Sequence, residues 1–352
     1  MADLSRFKGA IFDESQALKE PTSKRTRAAH KVVGGLSPEG LVMMLTGTPV
    51  LNRPAELIQP LLMLGVLSDE PGSRMTSKWF KNRYCWDSAS RSYSGATNES
   101  ELSKFLRATV MVRRTKEQVL TELPAKVRVP QWVQLSAEAK RLFDTLASDI
   151  VRQYRATGKW YIQDITALRK AAGEAKALDA LTWAVDFLAN TDKQLVVFAH
   201  HQATQDYLIT GLRKAGHTVT HILGSQKDVE AHKAAFQAGD SRVIVCSIKA
   251  AGVGHTLTAA SDVLMVEQCW TPADHWQAED RCHRIGQTSS VTAWYLLAED
   301  TVIDDYMFEL VAGKAETVNK VTDDESAKAD ERSTVTQMLD RLSERYAAQD
   351  AA

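Results

Sequence analysis

The sequence predicts an α/β protein built on parallel sheets with flanking helices, and three observations predict it. Short apolar runs of strand length recur along the chain. Helical patterns separate them, as the crossovers of a parallel sheet require. Polar or charged residues stand just past the C-terminal end of the runs, where parallel sheets bind their ligands.

Taken in order, Lys8–Asp13 reads as a short apolar strand ending in acids. Leu41–Leu45 (LVMML) is a second, closed by Thr46-Gly47-Thr48-Pro49, with a helical pattern over Arg25–Val33 between them. Asp69–Ser100 is rich in Ser, Gly, Asn and aromatics without a clear period, and reads as an irregular insertion. Glu101–Leu123 returns to helical spacing and Lys126–Leu135 reads as a strand. Ala137–Arg155 and Asp164–Asn190 are long helical patterns; in the second, Ile165, Leu168, Leu178, Leu181, Val185 and Leu188 recur at roughly 3–4-residue steps or their multiples. Beyond them the α/β rhythm repeats more clearly. Strands are predicted at Gln194–Ala199, Thr218–Leu223, Arg242–Ser247, Asp262–Glu267 and Val291–Leu297, with helices at Gln202–Ala215 and Val229–Ala238. The tail is charged and Ala-rich, with an amphipathic patch at Val335–Tyr346 that reads as a peripheral or frayed helix.

The expected division is therefore residues 1–135 for a first lobe, with its insertion at about 66–100; 136–190 for a helical connector; 191–320 for a second lobe; and 321–352 for a charged peripheral tail. A chain of 352 residues suits one large domain or two ordinary ones.

Composition narrows the class. The chain is 44% hydrophobic and 25% charged, the profile of a globular domain. A net charge of −1 neither supports nor excludes nucleic acid, because a local basic face is enough. The four cysteines form no C-x-x-C pair, so no zinc site is expected, and usage fits a reducing compartment. Cys246 and Cys269 lie in apolar runs and read as core residues. MADLSRFKGA has no apolar stretch typical of a signal peptide. No apolar run approaches the ~20 residues that span a bilayer, so no membrane partner is expected.

Three groups carry chemistry. Asp13 and Glu14 close a strand, where one carboxylate can hold Mg²⁺ and its neighbour can orient an attacking water. A solvated pair of acids is the plainer alternative. HWQAEDRCHRIGQ at His275–Gln287 holds Arg281 and Arg284 three apart, on one face if helical, as suits a polyphosphate. The alternative is a basic stripe paired with Glu279 and Asp280. AAGVGHTLTAA at Ala250–Ala260 follows a strand, and its glycines Gly252 and Gly254 let backbone approach a phosphate or ribose; an ordinary strand-to-helix turn explains it equally.

In order, these blocks resemble the Swi/Snf-type ATPases of helicase superfamily two. DESQ at Asp13–Gln16 is similar to motif II and LTGTP at Leu45–Pro49 to motif III. RRTKEQVLTELPAK at Arg113–Lys126 resembles the family's Arg-Arg-x-Lys…Leu-Pro-x-Lys block, and LVVFAHH at Leu195–His201 sits at motif IV. Ala250–Ala260 matches motif V, EQCWTP at Glu267–Pro272 follows, and QAEDRCHRIGQ at Gln277–Gln287 is motif VI. RPAEL at Arg53–Leu57, RYC at Arg83–Cys85, YSGATN at Tyr93–Asn98 and VMVRR at Val110–Arg114 resemble the annealing-helicase branch.

The resemblance implies RecA-like lobes, ATP and Mg²⁺ as cofactors, and duplex or forked DNA as partner. It implies that Asp13 and Glu14 handle metal and water, and that Thr46 and Thr48 couple nucleotide to DNA. Arg281 and Arg284 would be arginine fingers from the second lobe, with Gln277 and Gly254 in the same seam. Lys24, Arg25, Arg27, Arg113 and Arg114 would touch DNA phosphates or stand solvated. The family usually has His where this chain has Gln16; an amide can still bridge to motif III or VI, so altered coupling is expected rather than loss.

The larger departure is the phosphate loop. No G-x-x-x-x-G-K-[ST] string is present. The nearest, GLRKAGHT at Gly211–Thr218, has His217 in place of Lys and follows a helix instead of a strand. The expectation is an incomplete first lobe and a complete second, helicase C-terminal lobe. The chain would be part of an ATP-dependent DNA translocase whose Walker A and motif Ia half is supplied in trans or lies on a longer polypeptide, and which is inactive without it. The alternative is an ATPase-inactive relic that binds DNA or protein. The expected compartment is cytoplasm for a prokaryotic or phage source, and nucleus for a eukaryotic one.

Overall fold

The computed structural model describes residues 3–47, 49–50, 53–88, 91–93, 95–114, 116–224, 226–248, 254–269, 272–299, 301, 303–306, 308–309 and 338–346, with backbone alone at 117, 162, 272 and 273. The fold is α/β with parallel sheets, as expected. It divides into two units, one of described residues up to Arg113 and one from Arg114 onward.

The first unit opens with β1 (Gly9–Phe12), which pairs in parallel with β2 (Leu41–Met44), placing Ile11 beside Met43 and Phe12 beside Met44. Their crossover contains α1 (Lys24–Gly34), started by the Ser23 hydroxyl, which accepts the Thr26 N–H at 3.1 Å. Alternation sends successive side chains to opposite faces. One face, with Phe12 and Met44, packs on Leu18, Ala29 and Met63. The other leaves Ile11 69% and Leu41 65% exposed, with Met43 and Leu45 also exposed.

A second core in this unit joins α2 (Ile58–Met63), α3 (Ser77–Tyr84) and α4 (Glu99–Thr109) around Leu61, Phe80, Tyr84, Cys85 and Leu102. The segment expected to be irregular thus contains a helix. α3 is short and mostly polar, but Thr76 caps it and Phe80 and Tyr84, four apart, form its buried stripe. The helical pattern over Glu101–Leu123 is likewise two pieces: α4 ends at Thr109, and α5 (Lys116–Val119) lies in the second unit.

The second unit holds a six-stranded, all-parallel sheet. Its strands are β3 (Lys126–Val133), β4 (Leu195–Ala199), β5 (Val219–Ile222), β6 (Val243–Ser247), β7 (Asp262–Met265) and β8 (Val291–Ala298), in the order β3-β8-β7-β4-β6-β5. The central strands are mostly apolar because both faces are covered. Val196, Phe198, Cys246 and Met265 enter one core, and Leu195, Val197, Val245 and Leu264 the other. The helices around it are α6 (Ala137–Thr157), α7 (Ile162–Ala175), α8 (Ala177–Asn190), α9 (Gln202–Lys214), α10 (Val229–Ala238) and α11 (Pro272–Glu279).

Three expectations change here. β3 was expected to close the first lobe, with a boundary at 135; it instead pairs with β8 along its whole length, from Lys126 beside Val291 to Val133 beside Ala298. As an edge strand it tolerates Pro130. The pattern Asp164–Asn190 is not one helix: the chain turns at Lys176, whose ammonium is buried against Asp304 at 2.7 Å and the Leu296 carbonyl at 3.0 Å. The amphipathic patch in the tail is no peripheral element. Residues 338–346 are helical, and Met338, Leu339, Leu342 and Tyr346 join the core of Phe143, Ile150, Ile165 and Leu168. Tyr346 Oη donates to Asp144 at 2.7 Å.

Candidate functional site

In the first unit the site begins where β1 stops. Leu45 N–H donates to the Phe12 carbonyl at 2.8 Å, and Ser15 N–H to the Leu45 carbonyl at 3.0 Å, so the segments leaving β1 and β2 stay side by side. Glu14 adopts a left-handed φ of 49°, uncommon outside glycine, and leads into a 3₁₀ turn over Ser15–Leu18. Asp13 Oδ1 accepts the Glu14 N–H at 2.8 Å. Glu14 Oε2 accepts from Gln16 Nε2 at 2.5 Å, and Gln16 Oε1 accepts from Thr46 Oγ1 at 2.6 Å. The amide donates with its nitrogen and accepts with its oxygen, so one side chain joins the acid after β1 to the hydroxyl after β2. Both carboxylates are exposed hard-oxygen donors, a set that fits Mg²⁺ retaining much of its water shell. Thr48 lies outside the described residues.

Lys24, Arg25 and Arg27 are exposed in the first turn of α1, which has no acidic residue there. Cations at a helix N-terminus oppose the helix dipole, by about 0.3–1 kcal/mol each. Arg113 and Arg114 fall where the two units divide.

In the second unit, Arg281 and Arg284 are not on one helical face. α11 ends at Glu279, and both arginines lie in the turns that follow. They nevertheless converge on one segment: Arg281, buried, reaches the His255 carbonyl at 3.5 Å, and Arg284, exposed, reaches Thr256 Oγ1 at 3.4 Å. Gly254, just before, has a left-handed φ of 68°. Gly252 lies outside the described residues. Gln277 is half-buried on α11. Gln287 binds the turns together: its Nε2 donates to the carbonyls of Thr258, Ala260 and Cys282 at 3.2, 2.8 and 3.2 Å, and its Oε1 accepts from Thr288 and Ser289 N–H at 3.0 and 2.9 Å.

Sequence reasoning did not anticipate what anchors α11. Glu279 is fully buried and held by both arms of Arg128 at 2.6 and 2.7 Å, by Lys126 at 2.9 Å and by Tyr295 Oη at 2.8 Å. Burial pushes its carboxyl up; the hydrogen bonds from Arg128 and the charges of Lys126 and Arg128 outweigh this and leave it at about 2. Asp280 takes Lys116 at 2.7 Å and Lys126 at 3.1 Å, and His283 Nε2 meets the Pro124 carbonyl at 2.7 Å. Lys116, Pro124 and Lys126 of the Arg113–Lys126 block, with Arg128 beyond it, therefore brace the arginine-bearing turn. The sequence signal was the block itself, whose partner could not be read locally.

Glu267 makes a second tie. It accepts the backbone N–H groups of His200 and His201 at 2.7 and 3.0 Å and contacts His201 Nδ1 at 2.5 Å, joining the ends of β4 and β7. Gly173 permits this, since a Cβ there would stand 2.1 Å from Glu267 Oε1.

Comparison with known proteins places these features in context. The model of the SNF2-related domain matches residues 3–195, and that of the helicase conserved C-terminal domain matches residues 175–286. The SWI/SNF-related matrix-associated actin-dependent regulator of chromatin subfamily A-like protein 1 of Xenopus tropicalis is 33% identical over 333 residues, 89% of this chain and 33% of that protein. The human DNA annealing helicase and endonuclease ZRANB3 is 33% identical over 331 residues, 88% of this chain and 29% of that protein. The chain thus spans about a third of the length of these two relatives. The crystal structure of the C-terminal part of the Fun30 ATPase domain superposes with a TM-score of 0.52 at 17% identity, covering 64% of this chain and 99% of that one, which bears on the fold alone.

Proposed function

Because this chain belongs to the SNF2-related family of helicase-like ATPases and is related to annealing helicases, we propose that it is the motor portion of an ATP-dependent DNA translocase of Swi/Snf type. Its track is duplex or forked DNA, and its output is remodelling or strand annealing. The observation that carries this reading is the Glu14–Gln16–Thr46 relay, which ties a water-activating acid to the next motif through a single amide.

The roles follow from chemistry. Asp13 and Glu14 would hold Mg²⁺, which when bound with ATP neutralises phosphate charge. Glu14 orients and polarises the attacking water. Gln16 passes a change at Glu14 to Thr46, and Thr48 and Gln277 extend that coupling. Arg281 and Arg284 stabilise negative charge on the transferred phosphoryl group, with Gly252 and Gly254 shaping the adjoining backbone. Lys24, Arg25, Arg27, Arg113 and Arg114 contact DNA phosphates, an anionic partner that offsets the unfavourable placement of the first three on α1. The first lobe, expected over 1–135, is proposed to end at Arg113, with 136–190 as connector and 191–320 as second lobe, and with α5 and β3 counted in the last.

In this reading the phosphate loop belongs to further polypeptide, and the uncovered face of Ile11, Leu41, Met43 and Leu45 supports a place for it to pack. That polypeptide is either continuous with this chain or separate. The competing reading, a relic that binds DNA without hydrolysing ATP, is favoured only by the lack of a G-x-x-x-x-G-K-[ST] string.

The test is DNA-stimulated ATP hydrolysis. The chain alone should hydrolyse almost nothing; a Walker A-bearing first-lobe segment, added or fused, should confer activity that Glu14→Gln and Arg284→Ala abolish. No gain with that segment would sink the motor reading, and DNA affinity indifferent to nucleotide and to Glu14→Gln would favour the relic.

A further inference from the structure

The stretch between α3 and α4 carries a structure that the nucleotide site does not use. Asp87 N–H donates to the Ser92 carbonyl at 2.8 Å and Ser92 N–H to the Asp87 carbonyl at 3.2 Å, closing a small antiparallel hairpin. Its base is rooted in the core: Gly95 N–H donates to the carbonyl of buried Cys85 at 3.0 Å, and Thr97 N–H to that of buried Tyr84 at 3.0 Å. Only glycine fits at 95, because a Cβ there would stand 2.8 Å from Asp87 Cβ and 3.0 Å from the Trp86 carbonyl oxygen.

On this fixed base stand Trp86 and Tyr93. Their ring centroids are 5.4 Å apart at 67°, edge against face, and they are 39% and 41% exposed. Tyr93 Oη donates to Asn82 Oδ1 at 2.6 Å, which holds the ring against α3. Two large rings are thus pinned at the surface without being buried by each other.

The surroundings are cationic. Lys78 lies one helical turn before Asn82, on the part of α3 that meets Tyr93, and Lys81 lies three residues after Lys78; both are exposed. Arg91, exposed, sits within the hairpin. Of the nearby acids, Glu101 holds Arg83 at 2.5 and 2.7 Å and Tyr84 Oη at 2.8 Å; Asp69 accepts from Ser77 N–H and Oγ, each at 2.7 Å, and feels the charge of Lys81; Asp87 lies in the hairpin itself.

Exposed rings among exposed cations are the combination that binds nucleic acid with accessible base faces. In a duplex interior each base face is already stacked on its neighbour. Only a strand end, a junction or a single strand offers one. We propose that Trp86 and Tyr93 form a stacking site for an unpaired nucleobase of DNA, with Lys78, Lys81 and Arg91 holding the flanking phosphates. The site makes the motor distinguish a junction from plain duplex. It rests on the DNA-binding part of the function proposed above.

The test uses the full chain with three labelled DNAs of shared sequence: a blunt duplex, a single strand, and a fork with 2-aminopurine at its first unpaired position. Fluorescence anisotropy should show tighter binding to the fork than to the duplex, and 2-aminopurine emission should fall as its base stacks. Trp86→Ala and Tyr93→Ala should each weaken fork binding roughly 5- to 100-fold, the effect of losing one base–aromatic stack, and restore the emission. Binding to blunt duplex should not change, and Trp86→Phe, which keeps a ring, should recover most of the loss. Fork affinity and quenching unchanged in Trp86→Ala would overturn the proposal, as would an equal loss on blunt duplex. If the wild-type chain binds the fork but not the duplex, the duplex-translocase reading fails and this one stands; if it binds none of the three, both fail.

Discussion

The two sheets of this protein obey the same rule with opposite results. In the second unit, helices cover both faces, and β4, β6 and β7 are apolar apart from Ser247 and Asp262 at their ends. In the first, β1 and β2 are wholly apolar, yet one face of the pair lies open, with Ile11 and Leu41 more than half exposed. Parallel strands evolve their composition for burial on both sides. The first unit therefore has an apolar sheet face that its described residues leave uncovered, and it is the unit that holds Asp13 and Glu14. The proposed chemistry sits where the described fold covers itself least.

The largest effect should separate the two sheets directly. Phe198→Ala should destabilise the second unit by about 3–5 kcal/mol in denaturant titration, the usual loss for a buried aromatic. Ile11→Ala should change stability by less than ~0.5 kcal/mol, as an exposed site does. A large loss for Ile11→Ala would mean the first sheet is already covered and would break the comparison.

Next comes the brace under α11. Glu279→Gln should cost about 3 kcal/mol, because it strands Arg128 without its counter-charge and leaves Lys126 with Asp280 alone. The same carboxylate sets an acid limit. Its folded pKa, about 2, lies below the unfolded value of about 4.3, so its stabilisation is full above pH ~5. That contribution, about 3 kcal/mol, should fade as pH drops from about 4.3 to about 2. In Glu279→Gln the acid-side slope of stability against pH should flatten; an unchanged slope would assign acid sensitivity to other groups.

Gln16→Ala should cost about 1 kcal/mol or less in stability, being a partly exposed hydrogen-bond bridge, yet should uncouple DNA stimulation from ATP hydrolysis in the complemented enzyme. Stimulation that survives intact would remove the amide from the relay. The smallest effect is expected at α1: Arg25→Ala should lower the slope of log affinity against log salt for duplex DNA by about 1, with little change in fold.

Most strands were legible because an apolar run bounded by turn residues is a local signal; β4, β6 and β7 begin and end within a residue or two of their expected positions. Pairing was not, since β3 has an alternating pattern that suits either sheet and its partner β8 lies far along the chain. α3 escaped because its two core residues are too few to raise a period. At the site, Asp13, Glu14, Gln16 and Thr46 were legible as motifs, and the amide bridge was foreseen in kind. The shared helical face of Arg281 and Arg284 was not found, because α11 stops at Glu279 and residue spacing cannot reveal where a helix ends. The bond between Arg128 and Glu279 spans 151 residues, beyond the reach of any local pattern.

Pro130 has a consequence for assembly. β3 is one rim of the six-stranded sheet, a place where a foreign strand can add itself by backbone hydrogen bonds. A proline there lacks the donor such an addition needs, and its ring obstructs close approach. β1 and β2 contain no proline. β5, the opposite rim, contains none either, so a single imino acid marks β3 as the one rim of the larger sheet that is closed to a searching strand.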